Sequence, residues 1–308
     1  MSRDIAICLP DKVDVNFIMT FIRKMNAFYQ YDNAQLPGFF LRFTNVKRID
    51  ILGVLLLYKF LEYSIIRNCF INPTTIDIKV INPQIKEFGF ESLIASCYTD
   101  SKKMEEEYGK LQSRVTNKFL VSPISIFKGL VDRDAIERKC FNSISMFYGT
   151  GNVSDMILMV ISELIGNFYS HSEDDSRSII VAYGTNDYVE IACADSGKGI
   201  IESLKPYVDS RDNLMIMKKA FQKGVSSKPG TDHMGYGLWM LDEAVKRNGG
   251  RMIAYSQDVY YERLGTKVCV IPTPFWRGTV VYLKLFTRMP VAVKDIIPVT
   301  SFSKIHYR

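Results

Sequence analysis

Apolar and polar residues alternate from Asp4 to Leu9, which puts Ile5, Ile7 and Leu9 on one side of an extended segment and predicts a strand. The period then changes, and the stretch from about Asn16 to Tyr29 reads as a helix. Phe39 to Phe43 is a short strand candidate, Leu52 to Asn68 a helix, and Thr75 to Ile81 a β-branched strand bounded by Pro73 and Pro83. Between Thr99 and Lys118 the chain turns polar, with Lys102, Lys103, Glu105, Glu106 and Glu107, and this predicts a solvated connector. From Asp132 the pattern gives two helices, strands at Ser178 to Tyr183 and Tyr188 to Ala194, and a long polar stretch from Ile201 to Met234. A helix from about Gly237 to Arg247 follows, then three further strands near Met252, Lys267 and Thr279. The expected division is a first α/β domain over 1–98, a connector over 99–131, a second domain over 132–290 and a tail over 291–308.

Composition narrows this only a little. A chain of 308 residues that is 47% hydrophobic and 23% charged has the material for two folded cores. The longest apolar run, Ile51 to Leu57, is interrupted by Gly53 and followed by Lys59, so no membrane span is expected. The start, Met-Ser-Arg-Asp, lacks the pattern of a secretory signal, and a cytoplasmic protein is the expectation. A net charge of +6, with basic and acidic residues interleaved, gives no indication of nucleic acid. The six cysteines form no CxxC pair, which points to buried free thiols rather than disulfides or a zinc site.

Candidate chemistry begins with a helix whose N-cap is expected at Ser154. On it Glu163, Asn167 and His171 follow one another at four-residue intervals, a polar stripe beside the apolar stripe of Ile157, Ile161, Leu164 and Phe168. The strand from Tyr188 stops at Asp195-Ser196-Gly197-Lys198-Gly199-Ile200, where a carboxylate can accept from an exocyclic amine and glycines let the backbone approach a ring. His233-Met234-Gly235-Tyr236-Gly237-Leu238 opens a helix whose first N–H groups suit phosphate oxygens.

Glu-x-x-x-Asn, Asp-x-Gly-x-Gly, a lid-sized polar stretch, Gly-x-Gly-Leu and a last Gly278-Thr279 strand stand in the order found in the GHKL ATPases, the gyrase, heat-shock chaperone, histidine-kinase and MutL type. The resemblance covers roughly Asp132 to Thr287. It implies a Bergerat-type α/β sandwich with a mixed sheet, and ATP with Mg²⁺ as ligands. It also implies that Asn167 holds the metal and that Glu163 activates water or an acceptor hydroxyl. Asp195 would read the adenine amine and Gly197 and Gly199 would line the base pocket, with Ile200, Leu238 and Thr279 also expected among the nucleotide-binding residues. Gly235 and Gly237 would approach the phosphates, Lys228 would come from the lid, and His171 occupies a common family position near the end of the metal-binding helix.

The first 98 residues resemble a STAS domain: the strand at Phe39 to Phe43, then Asn45 to Asp50, then Gly53 opening an apolar helix, with Pro83 to Leu93 as the return into a last helix. Where STAS antagonists carry a phosphorylatable Ser or Thr after the aspartate, this chain has Asp50-Ile51-Leu52-Gly53. The three histidines are His171, His233 and His306, so no phosphoacceptor histidine precedes the ATP-binding region. The resemblance therefore implies an ATP-binding regulatory protein that switches contact with a protein partner or with its own STAS-like domain. A protein-serine/threonine kinase of the anti-sigma-factor type and a non-catalytic interaction module are the alternatives, and a homodimer stays open.

Overall fold

A computed structural model describes residues 5–29, 39–42, 45–66, 119–127, 133–171, 177–227 and 235–296. In chain order the described elements are β1 (Ile5–Cys8), β2 (Lys12–Val13), α1 (Ile18–Tyr29), β3 (Phe39–Arg42), β4 (Arg48–Ile49), α2 (Ile51–Ile66) and β5 (Phe119–Phe127). They continue with α3 (Arg133–Tyr148), α4 (Asn152–His171), β6 (Arg177–Gly184), β7 (Tyr188–Asp195), α5 (Gly199–Leu204), α6 (Asn213–Ala220), α7 (Gly237–Asn248), β8 (Arg251–Leu264), β9 (Lys267–Phe286) and α8 (Val293–Ile296). The expected strand at Thr75 to Ile81 and return at Pro83 to Leu93 lie outside the described residues.

A five-stranded sheet in the order β5-β6-β7-β9-β8 organises the molecule. Its four pairings are all antiparallel, not the mixed sheet expected, because β6 runs into β7 and β8 into β9 through short turns. Both faces are covered. Val189, Ile191 and Cys193 of β7 pack toward the helices that follow β5, whereas Ala192 and Ala194 join a core with α1 and α2. α1 buries Ile18, Phe21, Ile22 and Met25, one stripe at helical spacing. α2 is buried from Ile51 through Glu62 on every side, and the ion pair of Lys59 with Glu62 at 2.6 Å is sealed with it. Asp50 caps α2 by accepting the Gly53 N–H at 2.8 Å and ties it to the β2 turn by accepting the Val15 N–H at 2.8 Å.

Several expectations change. The segment read as a connector contains β5, which pairs with β6 across an irregularity between Val121 and Ile124 that holds Pro123. The strands expected near Lys267 and Thr279 are one, β9, and with β8 it makes a long hairpin. That hairpin folds back on itself: the Gly265 N–H donates to the Gly250 carbonyl at 2.9 Å, and Arg251 meets Glu262 at 2.6 Å. A straight strand of that length would hold those ends about 45 Å apart. Over its described residues, 201–227, the polar stretch carries the rest of α5 and all of α6, with Ile201, Leu204, Ile216, Met217, Ala220 and Phe221 buried. α4 starts at Asn152, two residues before the cap expected at Ser154, whose hydroxyl instead donates to the Gly149 carbonyl. Cys140 and Cys193 are buried thiols, whereas Cys8 and Cys269 are exposed. No described helix is long and apolar enough to cross a membrane.

Candidate functional site

The end of β7 and the turn after it form one wall. Asp195 Oδ1 accepts the Gly197 N–H at 2.9 Å and the Thr279 N–H at 3.3 Å, which binds the carboxylate to the turn and to the neighbouring strand β9. The backbones approach so closely here that a Cβ on Gly278 would fall 2.2 Å from the Asp195 carbonyl oxygen. Gly199 has φ +79° and Gly278 φ +82°, a region that favours glycine. Ile200 and Leu238 are both half-buried against the inner core.

The opposite wall is α4. Its apolar stripe, Ile157, Ile161, Leu164 and Phe168, is buried under the sheet, which leaves Glu163 and Asn167 half-buried on a different side. The start of α7 comes up against them. A Cβ on Gly237 would lie 2.7 Å from Glu163 Oε2 and 3.4 Å from Asn167 Oδ1, so the absence of a side chain at residue 237 lets the two helices form a close cradle here. Burial pushes the Glu163 carboxyl above its ordinary range, Arg133 opposes that, and Glu137 adds to it. Arg133 sits beside α4, with its Nε 2.8 Å from Glu137 Oε1 and its Nη2 donating to Ser162 Oγ at 3.3 Å.

Gly224 and Gly235, on either side of the undescribed residues 228–234, are fastened together. The Gly224 N–H donates to the Gly235 carbonyl at 3.1 Å, and the Lys223 ammonium lies 5.2 Å from the Tyr236 ring and 5.0 Å from that of Trp239. Lys228 and His233 lie outside the described residues. His171 is the last residue of α4.

The structure thus brings Glu163, Asn167 and Gly237 to one place, and gathers Asp195, Gly197, Gly199, Gly278 and Thr279 at another. Residues 152–285 match the family of histidine kinase-, DNA gyrase B- and HSP90-like ATPases. This span is a GHKL ATPase domain, and the family implies ATP binding. Comparison with curated proteins finds no match for the chain. The domain includes residues that pattern reading passes over. Ser256, fully buried on β8, accepts the Ile200 N–H at 2.9 Å. Asn248 locks the end of α7 by accepting the Phe286 N–H at 2.8 Å and donating to the Phe286 carbonyl at 2.9 Å. Only the Gly249 turn after it, with φ +73°, is signalled locally.

Proposed function

We propose that the ATPase domain binds Mg²⁺ with ATP between α4, the Asp195 turn and the start of α7, and hydrolyses it slowly. The observation that carries this reading is the Gly237 cradle: a helix start, whose first N–H groups have no acceptor within the helix, is set close against a carboxylate and an amide. That arrangement fits the groups the ligand brings. Asn167 offers an uncharged oxygen to a hard cation, and the first N–H groups of α7 suit phosphate oxygens. Asp195 accepts from the adenine amine while Gly197, Gly199, Ile200 and Thr279 surround the base. Gly235 and Leu238 belong to the phosphate side, with Lys228 as a further charge for the phosphates.

Glu163 is the base in this reading. A carboxyl raised above its ordinary range holds a proton more strongly, so it draws one from a water molecule more effectively than an exposed glutamate. Bound ATP supplies the phosphoryl group that such a water attacks. The biological role we favour is a switch, in which nucleotide occupancy alters a surface seen by a protein partner or by the layer formed by α1 and α2.

Titration calorimetry tests binding: the wild type takes up ATP with Mg²⁺, and Asn167→Ala or Asp195→Ala weakens uptake at least tenfold. Equal binding by wild type and both variants refutes the site. For turnover, Glu163→Gln is expected to bind ATP and to release phosphate at least a hundredfold more slowly. Release at the wild-type rate removes Glu163 from the reaction.

A further inference from the structure

Ser256 stands at an unusual point of the fold. It is fully buried on β8, immediately before the irregularity that separates it from Gln257. Gln257 has φ 52°, the one positive value at a non-glycine among the described residues. A hydroxyl without a hydrogen bond is unfavourable in such a place. Its partner comes from 56 residues away, the N–H of Ile200 at 2.9 Å.

That amide needs a partner as much as the hydroxyl does. Ile200 is the second residue of α5, and the residue at the cap position, Lys198, makes no side-chain capping bond. The first N–H groups of a helix have no acceptor within it. Ser256 therefore caps α5 from a distant strand. The same oxygen shapes the turn, because a Cβ on Gly199 would fall 2.4 Å from Ser256 Oγ and 2.8 Å from the Gly278 carbonyl oxygen. Ser256 is also the register partner of Thr279, whose N–H donates to Asp195 Oδ1. One paired position of the β8/β9 ladder thus holds both ends of the Asp195 to Ile200 turn, Thr279 at the carboxylate and Ser256 at the amide.

We propose that Ser256 is a positioning residue of the nucleotide pocket: its hydroxyl, without touching the ligand, holds Gly199 and Ile200 so that the turn is already shaped for an adenine ring. This rests on the reading that the base sits at Asp195. Shape fixed before binding removes an ordering cost from association. The loss of one hydrogen bond to a buried amide predicts the scale of the effect, about a tenfold change in affinity.

The experiment compares ADP binding by the full chain as wild type, Ser256→Ala, Ser256→Thr and Asp195→Ala, together with hydrogen exchange at the Ile200 amide. Ser256→Ala is expected to bind ADP and ATP about tenfold more weakly by the same factor, since both carry the base, and to lose protection at Ile200. Ser256→Thr, which keeps the oxygen, recovers protection and most of the affinity. Wild-type ADP affinity in Ser256→Ala, beside lost binding in Asp195→Ala, overturns the proposal and leaves the pocket standing. Normal binding by Asp195→Ala instead refutes the pocket. Exchange of Ile200 at an unprotected rate in nucleotide-free wild type also overturns the proposal, and that measurement needs no variant to fold.

Discussion

Replacing Gly237 with alanine separates folding from binding, because the two respond to different atoms. Gly237 is the first residue of α7 and is not among the positive-φ glycines, so the backbone accepts alanine without strain. Alanine is the better helix former by up to about 1 kcal/mol. The added Cβ meets Glu163 Oε2 at 2.7 Å, 0.7 Å inside the 3.4 Å at which ordinary contact begins, and touches Asn167 Oδ1 at 3.4 Å. Both are ends of flexible side chains, and turning one aside costs about 0.5–1.5 kcal/mol. The terms nearly cancel, and nucleotide-free Gly237→Ala is expected to unfold within about 1 kcal/mol of wild type.

Binding does not cancel in this way, since the methyl group occupies the cradle and displaces the two residues that line it. A tenfold loss is the minimum expected. At an ATP concentration of about 100 times the wild-type dissociation constant, ligand stabilises wild type by about 2.7 kcal/mol and the variant by only about 1.4 kcal/mol. Thermal or urea unfolding with and without Mg²⁺ and ATP reads both quantities in one experiment. Gly278→Ala is the control: its Cβ would meet the Asp195 backbone oxygen at 2.2 Å at φ +82°, and the variant should lose more than about 2 kcal/mol with or without nucleotide. A Gly237→Ala protein with the full wild-type ligand increment would refute the argument that the missing side chain marks where a ligand approaches.

Two further outcomes follow from the outer face of the sheet. Trp276 is 1% exposed against the core shared with α1 and α2, so Trp276→Ala should cost about 3–5 kcal/mol in urea unfolding, and a cost below 1 kcal/mol would mean that this face is not packed as described. Burial raises the Asp50 carboxyl to about 7, against opposing hydrogen bonds from Gly53 and Val15, with Glu190 and Asp14 adding to the rise. The folded state therefore keeps a proton that the unfolded chain releases above its ordinary 3.8, and stability should fall as pH rises from about 4 to about 7 and level off above. Asp50→Asn should flatten that slope, and identical pH dependence in wild type and variant would exclude Asp50 as its source.

What the sequence made legible was set by how local the signals are. α4 and α7 carry their apolar stripes and their turn glycines within a few residues, and β6 and β7 are regular strands joined at a short turn. In the sequence β9 reads as two strands because Pro272, Pro274 and Gly278 each look like a break. In the hairpin Pro272 stays in register opposite Val259, and the breaks become bends. β5 was hidden by Pro123 and by the charged stretch before it. α6 was hidden by surface lysines around Ile216, Met217 and Ala220. In the site, Asp195, Gly197 and Gly199 lie in one turn and could be picked out together. The Gly237 cradle and the Ser256 cap depend on pairs far apart in the chain, which no local window contains.

The covered outer face constrains how any nucleotide signal travels. Val181, Ala192, Ile253, Tyr255, Trp276, Val280 and Tyr282 are all buried there with α1 and α2, and at about 25 cal/mol per Å² the release of that layer would expose far more apolar surface than one bound nucleotide offsets. Detachment is therefore a poor mechanism for a switch, and a small shift is a better one. The contacts that would carry such a shift are specific: the Tyr255 hydroxyl lies 3.5 Å from Met19 Sδ on α1, and Arg251 donates to Asn16 Oδ1 at 2.9 Å. Tyr255 directly precedes Ser256, the residue that caps the Asp195 turn. If occupancy is communicated by that route, Met19→Ala should alter ATP affinity about two- to fivefold, a coupling of up to about 1 kcal/mol, while leaving every residue of the pocket in place. Calorimetry on that variant decides the matter: unchanged ATP affinity, with the thermal unfolding lowered by the lost packing alone, would show that α1 supports the sheet without reading the site.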